Sequence, residues 1–276
     1  MNTLAYIHWH PDPIIFSIGS FTLRWYSILW FIGLAISVYV VYLAYRRSGR
    51  DMKEFDTLFI YTFLGIFLGA RLGHCLFYEP GYYLTHPLEI FLPVKIDNTG
   101  WHYTGYAGLA SHGGTLGVII FLLLFCYRTK MHPLELMDLI ALGAPIASGF
   151  IRLANLMNSE IIGCPTTVPW AFIFDRIDTL PRHPAQLYEA LAYFIIALAI
   201  IYFYKYQQHH IKRGFLFGLC IASIFLFRFF IEFIKEDQVA FESGMLLNMG
   251  QLLSIPFIIV GTYFTVKGWK RKPTQI

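Results

Sequence analysis

Three arginines, Arg71, Arg152 and Arg228, fall inside stretches of sequence that are otherwise almost wholly apolar. A guanidinium near the middle of a hydrocarbon layer costs about 2.5–3.5 kcal/mol on insertion scales, so each needs a reason to be there. Each has a polar neighbour at helical spacing: His74 three residues after Arg71, Asn155 three after Arg152, and Glu232 four after Arg228. Side chains three or four apart share a helix face. The planar guanidinium pairs with two phosphate oxygens at once and stays charged at any physiological pH. A phosphate-bearing ligand is the expected target. Taken alone, Arg228 and Glu232 fit equally well a buried ion pair that only fixes helix packing. His112 opens the run SHGG, where Gly113 and Gly114 would let backbone or substrate approach closely. Its imidazole suits general-base work near neutrality.

The elements that must carry these residues are membrane spans. Crossing a hydrocarbon core takes about 20 helical residues, and apolar runs of that order lie at 25–45, 57–78, 105–127, 133–157, 184–206, 214–234 and 246–266. At 1.5 Å rise per residue, Arg71, Arg152 and Arg228 each sit roughly 8–10 Å inside the same side of the layer. Tyr26, His112, His183, Gln186, Tyr188, Asn248 and Gln251 fall at that level too. Helices running in opposite directions thus deliver polar residues to one depth, as a hydrated cavity in one leaflet would require. Arg24 precedes the first span and reads as a headgroup contact.

With 57% hydrophobic and 14% charged residues among 276, the chain reads as an all-α polytopic membrane protein of seven transmembrane helices. It is expected to form one integral membrane domain over residues 1–276. Lysine and arginine favour cytoplasmic loops. Arg46, Arg47, Arg50, Lys53, Arg128, Lys130, Lys205, Lys212, Arg213, Lys267, Lys270, Arg271 and Lys272 make up the larger share of the 21, and all fall on one side. The opposite loops hold Lys95, Arg176, Arg182 and Lys235. This sets the N-terminus outside and the C-terminus inside, with small periplasmic elaborations in the loops at 79–104 and 158–183. In the second, PWAFIFDRIDTLPRHP reads as a short β-like run bounded by prolines. The net charge of +4 needs no nucleic acid; basic inner loops on anionic lipid account for it. The start, MNTLAYIHWHPDP, lacks the basic n-region of a cleaved signal peptide. Cys75, Cys126 and Cys220 fall in spans and Cys164 in a loop, so free thiols are expected. No paired-cysteine or HExxH spacing points to a metal.

The stretch IRLANLMNSEIIG, 151–163, resembles the signature G-R-x-G/A-N-F-x-N-x-E-x-x-G of the prolipoprotein diacylglyceryl transferase family. It matches at Arg152, Ala154, Asn155, Asn158, Glu160 and Gly163, and departs at Ile151 and Leu156. Further similar segments are WY at 25–26, FLGARLG at 67–73, HGG at 112–114, RHPAQLYE at 182–189, FRFFIEF at 227–233 and MGQLLSIP at 249–256.

The resemblance implies an enzyme of the bacterial inner membrane, its site open toward the outer leaflet. Such an enzyme moves the diacylglyceryl group of phosphatidylglycerol onto the lipobox cysteine of a preprolipoprotein signal peptide. Thioether and glycerol phosphate are the products. Neither a metal nor a diffusible cofactor is needed, and the nucleophile belongs to the substrate. The resemblance carries Tyr26, Arg71, His112, Arg152, Asn155, Glu160, Gly163, Arg228 and Glu232 to these positions. The expected division of labour makes His112, Arg152, Arg228 and Glu232 catalytic. Tyr26, Arg71, Asn155, Asn158, Glu160, Gly163, Gly113 and Gly114 would then bind substrate. The rival from another class is an anion transporter or channel, since buried arginines also line such pathways. It predicts charges through both leaflets, whereas the deep polar groups here stop halfway.

Overall fold

A computed structural model describes residues 6–19, 21–97, 100–103, 108–207, 210–236 and 245–269. Seven helices among them are long and apolar enough to cross a membrane. These are α1 (Trp25–Arg47), α2 (Met52–Phe77), α5 (Ser111–Thr129), α6 (Pro133–Asn158), α7 (Ala185–Tyr206), α8 (Phe215–Ile231, continued by a 3-10 turn at Glu232–Ile234) and α9 (Met249–Gly268). The chain is a multi-pass membrane protein. Large apolar side chains such as Phe31, Leu198 and Phe230 stay exposed on these helices, as lipid-facing residues must. The expected start of the third span at 105–107, together with Lys270, Arg271 and Lys272, lies outside the described residues.

Local chemistry sets the helix ends. Asp51 caps α2, its carboxylate accepting from Lys53 N, and α1 ends on Arg46 and Arg47, where cations suit the helix dipole. Lys130 adopts φ 55° just past α5 and stops it. Gly214, at φ 90°, turns the chain into α8. The first donors of α8 are satisfied across the fold: Asp138 of α6 accepts from Gly214 N at 2.6 Å and Phe217 N at 2.8 Å. Pro145 inside α6 is fully buried.

By its contacts the chain divides into two compact units, Met1–Ala44 with Met137–Ile276, and Tyr45–Leu136. In the first unit, β1 (Ile7–Trp9) pairs in parallel with β6 (Phe172–Phe174), which pairs antiparallel with β7 (Pro181–Arg182). The β-like run expected at 169–184 is therefore present. A hairpin of β2 (Ile14–Ile18) and β3 (Phe21–Arg24) leads into α1. Leu156, Ile162, Phe172 and Phe174 form a small core against Trp9 and Leu187. Trp9 also donates its indole N–H to Leu156 O at 2.8 Å. Helices α8 and α9 meet at Gly218 and Gly261, where an added Cβ would lie 2.5–2.7 Å from opposing backbone.

In the second unit α2 and α5 pack backbone to backbone. Gly65, Gly69 and Gly73 follow one another at i+4 and face Gly113 and Gly117. Such small-residue spacing lets membrane helices approach closely enough for dispersion to hold them. The short helices α3 (Pro80–Tyr83) and α4 (Leu88–Phe91) follow α2, and a hairpin of β4 (Val94–Asp97) and β5 (Gly100–Tyr103) precedes α5.

Candidate active site

Helix α6 ends in the signature segment. Arg152 Nη1 donates to Asn155 Oδ1 at 3.3 Å, and Asn155 Nδ2 donates to Glu160 Oε2 at 3.0 Å. Asn158 Nδ2 reaches the other oxygen of Glu160 at 3.1 Å. Glu160 is exposed. Ser159 and Ile161 on either side of it have φ of 57° and 58°. For a β-branched residue that is strained backbone, of order 1–3 kcal/mol, and such strain persists only where surroundings over-determine it. Those surroundings are dense. Gly163 N donates to His183 O at 3.0 Å, Cys164 N to Ile234 O at 2.8 Å, and Gly163 forms an isolated bridge with Lys235. An added Cβ at Gly163 would lie 2.6 Å from His183. Gly163 thus serves backbone packing beneath the signature loop.

Arg152 continues inward. Its Nε lies 3.2 Å from Glu189 Oε2, a carboxylate on α7 with no exposed surface. That contact is ionic without hydrogen-bond alignment, since Oε2 has no directed partner among the described residues. The other oxygen, Glu189 Oε1, accepts from Lys235 Nζ at 3.1 Å and from the Tyr193 hydroxyl at 3.2 Å. Lys235 Nζ donates again to Glu232 Oε1 at 3.0 Å, and Glu232 stands 3.8 Å from Arg228 Nε. Asn248 Nδ2, at the N-cap of α9, completes Glu232 by donating to Oε2 at 3.2 Å. Gly250 leaves room for that carboxyl group; its Cβ would be 2.8 Å from Glu232 Cδ. Arg152, Glu189, Lys235, Glu232 and Arg228 therefore form one row of alternating charge. Its middle is buried, whereas the Arg228 side chain is 38% exposed.

Arg182 fastens the loop side. It pairs with Asp178 and with Glu236 at 3.3 Å, and donates to Gly163 O at 3.2 Å. The guanidinium holds Asp178 below its ordinary value of 3.8. Burial lowers His183 from its ordinary 6.5, and its Nδ1 lies 3.3 Å from the Tyr188 hydroxyl. Tyr26 is half-buried in the first turn of α1.

Arg71, His112, Gly113 and Gly114 belong to the second unit. Arg71 is buried and donates to backbone at three points: Nε to Ile90 O at 3.0 Å, Nη1 to Gly108 O at 3.4 Å and Nη2 to Glu89 O. The guanidinium also lies over Tyr83, 4.9 Å from the ring centre. These contacts tie Arg71 to the segment around α3 and α4. Glu89 takes a hydrogen bond from the Tyr82 hydroxyl at 2.7 Å and pushes that phenol up to about 12. His112 is exposed in the first turn of α5. Gly113 faces Gly73, its missing Cβ 2.7 Å from the Gly73 Cα, while a Cβ on Gly114 would meet nothing closer than 3.5 Å. No group of three or more histidine, cysteine, aspartate or glutamate side chains with metal-binding geometry occurs among the described residues.

A family model described as prolipoprotein diacylglyceryl transferase matches residues 13–267. The chain belongs to this family. A Bacteroides fragilis phosphatidylglycerol–prolipoprotein diacylglyceryl transferase is 56% identical over 275 residues, covering 99% of each chain. The enzyme of that name from Tolumonas auensis is 41% identical over 270 residues, with 96% of this chain and 99% of its own length covered. That from Porphyromonas gingivalis is 39% identical over 291 residues, covering 100% and 99%. Within this family of transferases, the signature read from sequence maps onto the Arg152–Asn155–Glu160 end of the charged row.

Glu189 and Lys235 were not singled out by sequence reasoning. The signal for Glu189 was present, a lone carboxylate inside an apolar span. Lys235 lies three residues after Glu232 and seven after Arg228, but it read as an ordinary outer-loop cation.

Proposed function

We propose that the chain transfers the diacylglyceryl group of phosphatidylglycerol to the lipobox cysteine thiol of a preprolipoprotein, the first step of bacterial lipoprotein maturation. The observation that carries this reading is the half-exposed Arg228 at one end of the charged row, with Arg152 toward the other. The cysteine sulfur attacks the glycerol carbon that bears the phosphate, a C–S bond forms and the C–O bond to phosphate breaks. Glycerol phosphate leaves with the bonding pair and gains charge, and charge that appears in the transition state is what guanidinium groups stabilise best. Only the thiolate attacks efficiently, and a thiol near its ordinary value of about 8.5 is mostly protonated at neutral pH. His112 takes that proton. Glu232 orients Arg228, and Asn155 with Glu160 positions headgroup or peptide alongside Tyr26. Arg71 acts by fixing the loop around α3 and α4.

Both substrates reside in lipid, one as a phospholipid and the other tethered by its signal helix. The site opens toward the outer leaflet of the inner membrane. Purified protein incubated with glycerol-labelled phosphatidylglycerol and a lipobox peptide should give labelled thioether peptide and free glycerol phosphate. If label stays in phospholipid while the protein conducts anions across vesicles, the transporter reading replaces this one. If His112→Ala keeps the parental rate from pH 6 to 9, a range that roughly brackets the thiol value, the base lies elsewhere.

A further inference from the structure

Lys235 is 2% exposed at its side chain and stands between two carboxylates that are themselves buried, Glu189 at 0% and Glu232 at 8%. It is no surface counter-ion. Each carboxylate gives Lys235 its Oε1, at 3.1 and 3.0 Å, and each also faces one arginine. The two arginine contacts are the looser ones, both through Nε: 3.2 Å at Arg152 without alignment, and 3.8 Å at Arg228. Among the described residues, no hydrogen bond is made by the terminal nitrogens of Arg228.

A carboxylate and a guanidinium left to themselves pair through two parallel hydrogen bonds, which would occupy the nitrogens that grip a phosphate. An ammonium between two carboxylates prevents that by drawing one oxygen of each toward itself. The backbone sets where Lys235 stands: Gly163 bridges it, and Cys164 N is bonded to Ile234 O. We infer that Lys235 is a positioning residue, which through Glu189 and Glu232 keeps Arg152 and Arg228 from closing on their own carboxylates and so leaves them turned to the lipid phosphate.

This rests on the transfer reading only in taking phosphatidylglycerol as the anion. The test uses purified protein in mixed micelles with two readouts, the phosphatidylglycerol-dependent rise in Tm, which reports binding without turnover, and thioether formation. In Lys235→Met the half-saturating fraction of phosphatidylglycerol should rise about tenfold or more, the scale of a lost charge-assisted contact. Half-saturation by the lipobox peptide should stay put. Because that variant leaves two buried carboxylates facing each other, Glu189→Gln with Lys235→Met removes one charge of each sign. It should regain most of the parental Tm yet keep the weakened phospholipid binding. Parental half-saturation in the double variant, an equal rise for phospholipid and peptide in either variant, or a double variant no more stable than Lys235→Met would each overturn the inference. Absence of thioether from the parent would instead sink the transfer reading, and the binding readout would still judge Lys235.

Discussion

On the proposed reading Arg228 has the most demanding chemistry, because it would bind an anion while standing beside Glu232. A lysine there would keep the charge and lose the fork, so Arg228→Lys should cut the transfer rate at least tenfold. Thioether yield per unit of folded protein measures this, and a parental rate would rule out bidentate contact. Glu189→Ala should cost about 3–5 kcal/mol, as breaking a buried pair does, and show as loss of folded protein on gel filtration. His183 gives a pH dependence. Its folded value is lowered from 6.5 by burial, so the stability it contributes is complete above about 6.5 and drains away as pH falls toward the folded value. The parental Tm should therefore drop on acidification from pH 7, and less so in His183→Gln. At this scale the sequence reveals pairs that are near in number. Arg152 with Asn155, and Arg228 with Glu232, share helix faces and could be read directly. The contact of Glu189 with Lys235 joins residues 46 apart. It depends on how α7 meets the turn after α8, which no local spacing encodes.

Among elements, the spans were legible because lipid fixes their length and composition. The first, fourth, fifth and sixth begin within about a residue of expectation. The second begins at Met52 instead of 57, since Lys53 and Glu54 continue a helix that outruns the apolar stretch. The seventh begins at Met249, where an Asn248–Gln251 capping box starts the helix three residues later than hydropathy suggests. The parallel pairing of β1 with β6 joins Ile7 to Phe172 and left no trace in either segment alone. The glycines of α5 offer a sharp contrast. Gly113→Ala would push a methyl group into α2 backbone and should destabilise by about 1–3 kcal/mol, the usual range for overpacking. Gly114→Ala meets only ordinary contact at 3.5 Å and should keep the parental Tm. Thermal melts of the two variants, followed by transfer assays on Gly114→Ala, separate packing from substrate approach.

For the molecule as a whole, the charge bias of the loops predicts a topology that labelling can read. With Cys164 replaced by serine, a cysteine placed at Asp175 should react with a membrane-impermeant maleimide in cells with a permeable outer membrane, and one at Lys212 only after lysis; the reverse pattern would invert the protein. The two compact units differ in what makes them cohere. In the unit Met1–Ala44 with Met137–Ile276, cohesion at the site comes from ions shielded from water. In the unit Tyr45–Leu136, the join of α2 with α5 is made by backbone at Gly65, Gly69, Gly73, Gly113 and Gly117, with the rings of Tyr61, Phe121 and Phe125 packed beside it. Glycines have no side-chain rotamers to freeze, so the grip at those positions is one of shape. Acid and concentrated salt, which weaken ion pairs, should leave α2 and α5 fitted together, and their amides should be among the last to take up deuterium.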